Sequence, residues 1–238
     1  MAQFPPALQH GEIEEVFPDI FFVSGAMETL LQGIEWKFSR NMTVVRDGDR
    51  LIIINSVRLS DDGLAKLERL GRVTDVVRLG SLHGRDDPFY VDRYAAEYWA
   101  MPGMEHETGL KSTSSLNVGA PLPISDASLF SFKTTQIPEG ILHIDRADGI
   151  LIACDALQNW QRPDHFFSES STELMQSMGF FTPANLGPVW VQRAAPEGED
   201  FSRLKTLSFK HALCGHGDPL RDTAYEDYCA TFKRMFGI

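Results

Sequence analysis

The stretch NMTVVRDGDRLIIINSVRL, residues 41–59, restricts the fold more than any other. Two β-branched runs flank Arg46, Asp47, Gly48 and Asp49. Such runs favour extended backbone, and Asp-Gly suits the positive-φ positions of a tight reversal, so the stretch predicts a β-hairpin. DIFFVSG, just before it, reads as another strand. After it, SDDGLAKLERLG opens on capping residues, spaces Leu64, Leu67 and Leu70 three apart and closes on Gly71. That pattern predicts a short amphipathic helix. VTDVVRLG follows as a strand.

The same order then recurs. DDPFYVDRYAAEYWAMPG predicts a helix with Pro88 in its first turn and Tyr90, Tyr94 and Tyr98 on one face. Residues 102–123 read as loop. Strands resume in ASLFSFKTTQ and in GILHIDRADGILIACDAL, the latter reversing at Asp148-Gly149. STELMQSMGF predicts a helix, and LKTLSFKHALCGHGDPL a strand. The last predicted helix carries Tyr225, Tyr228, Cys229, Phe232 and Phe236 on one stripe. Two successive halves of hairpins, helix, strand and helix predict a layered α/β sandwich. No break in composition divides residues 1–238, so the expectation is one domain.

A net charge of −11 argues against a large nucleic-acid or anionic-membrane surface, both of which need clustered cations. Cys154, Cys214 and Cys229 are too few and too scattered for a disulfide framework. The first residues lack a basic start followed by an apolar run, and apolar stretches such as LIIIN fall far short of the ~18 residues that span a bilayer. The expectation is a cytoplasmic protein acting on a small-molecule substrate.

Chemistry-bearing residues gather where strands stop. LGSLHGRDDPFY places His83, Asp86 and Asp87 between a strand and a helix. An aspartate before Pro88 suits helix capping, which accounts for one of the two. Carboxylates and an imidazole are also ligands for zinc, iron or manganese. Asp155 ends the apolar run GILIACDAL, where a carboxylate needs a cap, a partner or a cation. His216 sits between two glycines in LCGHG, which permits a tight turn and close approach of a ligand. Cys214, two residues earlier, shares its strand face and reads as either a ligand or core.

Taken in order, LHGRDDPFY, GILIACDAL and LCGHG resemble the metallo-β-lactamase superfamily. That resemblance spans DIFFVSG to CGHGDPL and implies a four-layer αββα sandwich of two mixed β-sheets flanked by helices. The family's first motif is His-x-His-x-Asp-His. Here Asp86 matches the motif aspartate, Asp87 stands for the last histidine, and His83 lies one residue out of register. The family's middle histidine falls at Thr134, Thr135 or Gln136. The resemblance therefore implies a dismantled first metal subsite and a second one made of Asp86, Asp87, Asp155 and His216, with His83 as a fifth ligand. So many oxygen ligands favour manganese or iron over zinc. The implied activity is hydrolysis of an ester, thioester, lactone or phosphodiester by water activated on one divalent cation. Asp86 would accept the proton, with His83 or Tyr90 assisting. Residues 102–123 and FFTPANLGPVW would wall the substrate. The other reading keeps the fold and treats the protein as a non-catalytic binding or scaffold protein whose site has decayed. Arg85 is the side chain expected to neutralise the carboxylates in that case.

Overall fold

A computed structural model describes residues 4–31 and 33–238. Its first sheet is built on the hairpin. β2 (Ile20–Leu31) pairs antiparallel with β3 (Ile34–Asp47), which pairs antiparallel with β4 (Arg50–Ile54). Asp47 faces Arg50 across the turn, where Gly48 takes φ +69°. β1 (Glu14–Phe17) extends one edge. On the other, β5 (Arg72–Arg78), β6 (Glu97–Ala100) and β7 (Ser114–Ser115) add in parallel. Parallel neighbours need crossovers, supplied by α1 (Asp61–Leu70) between β4 and β5 and by α2 (Asp87–Tyr94) between β5 and β6. The Ser60 hydroxyl caps α1 by accepting the Gly63 amide.

The second sheet has the order β11-β10-β9-β8. β8 (Ala127–Ser131), β9 (Gly140–Ile144) and β10 (Ile150–Ile152) are antiparallel, and β11 (His211–Leu213) runs parallel to β10. α3 (Glu169–Ser177) lies beside β3, whose Lys37 amide donates to Ser171 Oγ at 2.8 Å. α4 (Pro188–Ala194), α5 (Gly198–Leu204) and α6 (Ala224–Phe236) cover the outer face of this sheet.

Strand periodicity explains the four layers. In β4, Ile52 and Ile54 point inward and pack with Leu142, Ile144, Ile150 and Ile152 of the second sheet. Leu51 and Ile53, one residue out of phase, pack with Leu64 and Leu67 of α1. Across the molecule, Leu151 and Ala212 meet Trp190, Phe201, Tyr228 and Phe232 of the opposite helices. The sandwich expected from the resemblance is the observed one.

The helix expected to run through Tyr98 is shorter. α2 stops at Tyr94 because Ala95 turns left-handed at φ +49°, and Tyr98 belongs to β6. Among the described residues, no helix is long and apolar enough to cross a membrane.

Candidate metal centre between the two sheets

Three strand ends meet at one edge of the sandwich. The segment after β5 carries His83, β10 runs out into Cys154 and Asp155, and β11 into Gly215, His216 and Gly217. Because β10 and β11 are parallel, their carboxyl ends lie side by side.

The side chains converge. His83 Nε2 lies 3.1 Å from His216 Nε2 and 3.5 Å from Asp155 Oδ2, and His216 Nε2 lies 3.3 Å from Asp155 Oδ1. Ligands held ~2.0–2.1 Å from a tetrahedral zinc ion are separated by about 3.4 Å, and each of these separations, taken to one or the other Asp155 oxygen, is of that size. The donor set therefore fits one divalent cation. Cys154 Sγ adds a sulfur, donating to Asp155 Oδ2 at 3.1 Å. Ligand atoms of His83, Cys154 and Asp155 all lie within 4.8 Å of one another.

Neighbouring groups fix these side chains unequally. The Nδ1–H of His216 reaches the Ser39 carbonyl at 3.1 Å, a bond that turns the Nε2 lone pair toward His83 and Asp155. Its ring lies against Trp160, with centroids 4.5 Å apart. Asn41 holds the turn, donating from its side chain to the Cys214 and Gly217 carbonyls. His83 Nδ1 is buried and has no hydrogen-bond partner among the described residues. Burial pushes the pKa of His83 down to about 4, against the pull of Asp155. Burial alone would raise Asp155, but His83 and His216 beside it hold its carboxyl well below the usual range. Burial drives the Cys154 thiol strongly upward, so it stays protonated and donates.

Asp86 and Asp87 do not join this group. Asp86 is buried in an ion pair with Arg40, accepts from the Arg85 guanidinium at 2.8 Å and accepts the Arg58 amide at 2.7 Å. It occupies the N-cap position of α2, yet its side chain makes no cap bond. Asp87 points elsewhere, accepting Ser56 Oγ at 2.6 Å and the Tyr98 hydroxyl at 2.9 Å, and burial raises its pKa. Tyr90 donates to the Val57 carbonyl at 2.7 Å and accepts the Leu59 amide at 3.2 Å. Burial pushes its hydroxyl far upward, so it serves the loop and not a proton transfer. Cys214 is likewise core, 3.3 Å from the Tyr228 hydroxyl.

Sequence reasoning passed over four residues here. Cys154 had a weak signal, standing next to Asp155. Arg40 had one too, as a cation inside a long strand. Ser39 acts through its backbone. Glu139, whose Oε1 accepts the Ala156 amide at 2.5 Å, bridges to Gly80 just before β9, in a stretch without a recognisable sequence pattern. Its Oε2 is buried with no partner among the described residues, and burial together with Asp155 raises its pKa well above the usual range.

Solved structures share this architecture. DIM-1 metallo-β-lactamase, in a crystal exposed to ceftazidime, matches with a TM-score of 0.61 at 14% identity, over 96% of this chain and 98% of its own. The metallo-β-lactamase of Hirschia baltica matches at 0.59 and 11%, over 93% and 97%. That of Erythrobacter litoralis matches at 0.56 and 11%, over 97% and 96%. No family model and no curated protein matches the sequence. Likeness at this identity establishes the fold.

Proposed function

We propose that this chain, which has the metallo-β-lactamase fold, is a hydrolase that holds one divalent cation on His83, Asp155 and His216. The observation that carries this reading is the convergence of three side chains from separate loops, with the His83 and His216 Nε2 atoms 3.1 Å apart and each 3.3 to 3.5 Å from one of the two Asp155 oxygens. Its substrate is a small molecule with an ester, thioester, lactone or phosphodiester bond. When bound, the cation supplies a Lewis acid that acidifies water and polarises the scissile group. The chain's own residues prepare the place. Burial keeps His83 neutral at physiological pH, so its nitrogen lone pair is available. Ser39 fixes the tautomer of His216, and Glu139 holds the Asp155 loop through the Ala156 amide. Arg40 and Arg85 engage Asp86, so its carboxylate is not free to accept a proton here. Two imidazoles, one carboxylate and a neighbouring thiol favour zinc or iron over manganese.

Purified protein is expected to retain about one transition metal per chain by elemental analysis, and Asp155→Ala to lose it. Loaded protein is expected to cleave at least one member of a panel of model esters, thioesters, lactones and phosphodiesters. The scaffold reading draws support from the arginine-bound Asp86 and from the unpartnered His83 Nδ1, since metal-bound histidines almost always donate through the second nitrogen. Metal-free protein whose stability ignores chelator would favour the scaffold.

A further inference from the structure

A histidine that binds metal is usually aimed through its second ring nitrogen, but among the described residues His83 Nδ1 has no hydrogen-bond partner. The backbone turn therefore aims the ring. That turn closes where the His83 amide meets the Gly80 carbonyl at 3.4 Å. Arg78, the last residue of β5, is buried against it. Its Nε donates to the same Gly80 carbonyl at 3.2 Å. One terminal nitrogen donates to the Ser81 carbonyl at 2.7 Å and the other to the Glu105 carbonyl at 3.1 Å. Only a rigid, planar fork of donors spans three carbonyls in this way. The chain then closes directly on the guanidinium, since a Cβ at Gly84 would stand 2.8 Å from Arg78 Nε. His106 completes the grip from the other side. Its Nε2 donates to the Gly84 carbonyl at 2.8 Å, while its Nδ1 accepts the Thr108 amide at 3.2 Å.

We propose that Arg78 and His106 are positioning residues that clamp the turn 80–84 and so aim the His83 ring at His216 and Asp155. The purpose of the clamp rests on the hydrolase reading above, whereas its geometry stands without a metal. The bonds cross between two segments: Arg78 reaches from the His83 turn to the Glu105 carbonyl, and His106 reaches back to Gly84. His216 has no share in them, because Ser39 and Asn41 hold it from β3. Breaking the clamp therefore disturbs one of the two imidazoles and spares the other.

Proton NMR of the aromatic rings in metal-free protein tests the aim. Ring centroids lie 4.9 Å apart for His83 and His216 and 4.5 Å apart for His216 and Trp160, so native protein should give nuclear Overhauser cross-peaks for both pairs. Arg78→Lys, which keeps the charge but not the fork, and His106→Ala are each expected to lose the first and keep the second. Loss of both would mean a loosened fold, and retention of both a turn that needs no clamp; either overturns the proposal. Zinc affinity tests the purpose. Each variant is expected to bind zinc about 10–100-fold more weakly than native protein, and affinity unchanged in both overturns the proposal. Should circular dichroism show one variant unfolded, the other decides. Should both unfold, native protein decides: slowly exchanging, resolved Arg78 Nη hydrogens uphold the grip, and a freely rotating guanidinium refutes it. Native protein that shows both cross-peaks but binds no zinc removes the hydrolase reading and leaves the clamp to be judged by the rings.

Discussion

A carboxylate withdrawn from water stays charged only beside a counter-charge or a set of donors, and the buried aspartates meet that requirement differently. Asp86 has two guanidiniums and an amide. Asp155 has two imidazoles and a thiol, and an imidazole is a weaker guarantor because it titrates. For His83 the folded pKa is about 4 against 6.5 for the free group. The folded state therefore favours the neutral ring. Between these values the unfolded chain binds the proton that the folded one refuses, so stability rises with pH and is lost on acidification. In metal-free protein, stability that is present in full above pH 6.5 is expected to drop by about 3 kcal/mol as pH falls to 4. Denaturant melts at half-unit pH steps measure this, and His83→Asn should flatten the slope over that window. An unchanged slope would show that the ring is not desolvated as described. His83, Asp155 and His216 were visible in the sequence because each strands a polar group at the end of an apolar run. Arg40 and Glu139 were not, since their roles depend on register between strands far apart in the chain.

Elements aim these residues, and glycine decides how closely two of them approach. Gly217 takes φ +84°, and a Cβ there would collide with the Asn159 carbonyl and the Trp160 amide. Both obstacles are backbone, so neither can swing aside. Gly217→Ala is expected to cost at least about 2 kcal/mol, lowering Tm by about 4–8 °C and loosening the His216 turn. Gly48→Asn is the control, since φ is +69° there as well but nothing lies within 4 Å of the added atom, and asparagine tolerates that region. Its Tm should stay within about 2 °C, roughly the shift of one half to one kcal/mol. If both variants melt alike, the collision at Gly217 is not what the turn depends on. Strength of local signal also explains which elements could be read from sequence. The Asp47-Gly48 reversal encodes its own geometry. α4 and α5, seven residues each, are too short to show a helical period. The end of α2 at Ala95 carries neither glycine nor proline, so the tyrosine spacing ran on through it.

Across the whole molecule, the candidate site brings together side chains from both sheets that the core presses together. His83 hangs from the first sheet, Asp155 and His216 from the second, and the apolar layer between them includes Val77, Leu79, Ile152 and Leu213. A cation shared by these side chains would tie the sheets at their carboxyl edge. It would bind the folded chain, while the unfolded chain scatters its ligands. Stabilisation then follows mass action, about 4 kcal/mol at a free concentration a thousand times the dissociation constant. For a chain of this size that raises Tm by about 8–16 °C. Zinc is expected to produce this shift in a single transition, chelator to reverse it, and Asp155→Ala to abolish it. Hydrogen exchange should slow in β5 and in β10 together, because neither sheet can open without releasing the ion. Protection confined to one sheet would mean that His83 is not a ligand, and no shift at all would leave a sandwich held by its apolar layer alone.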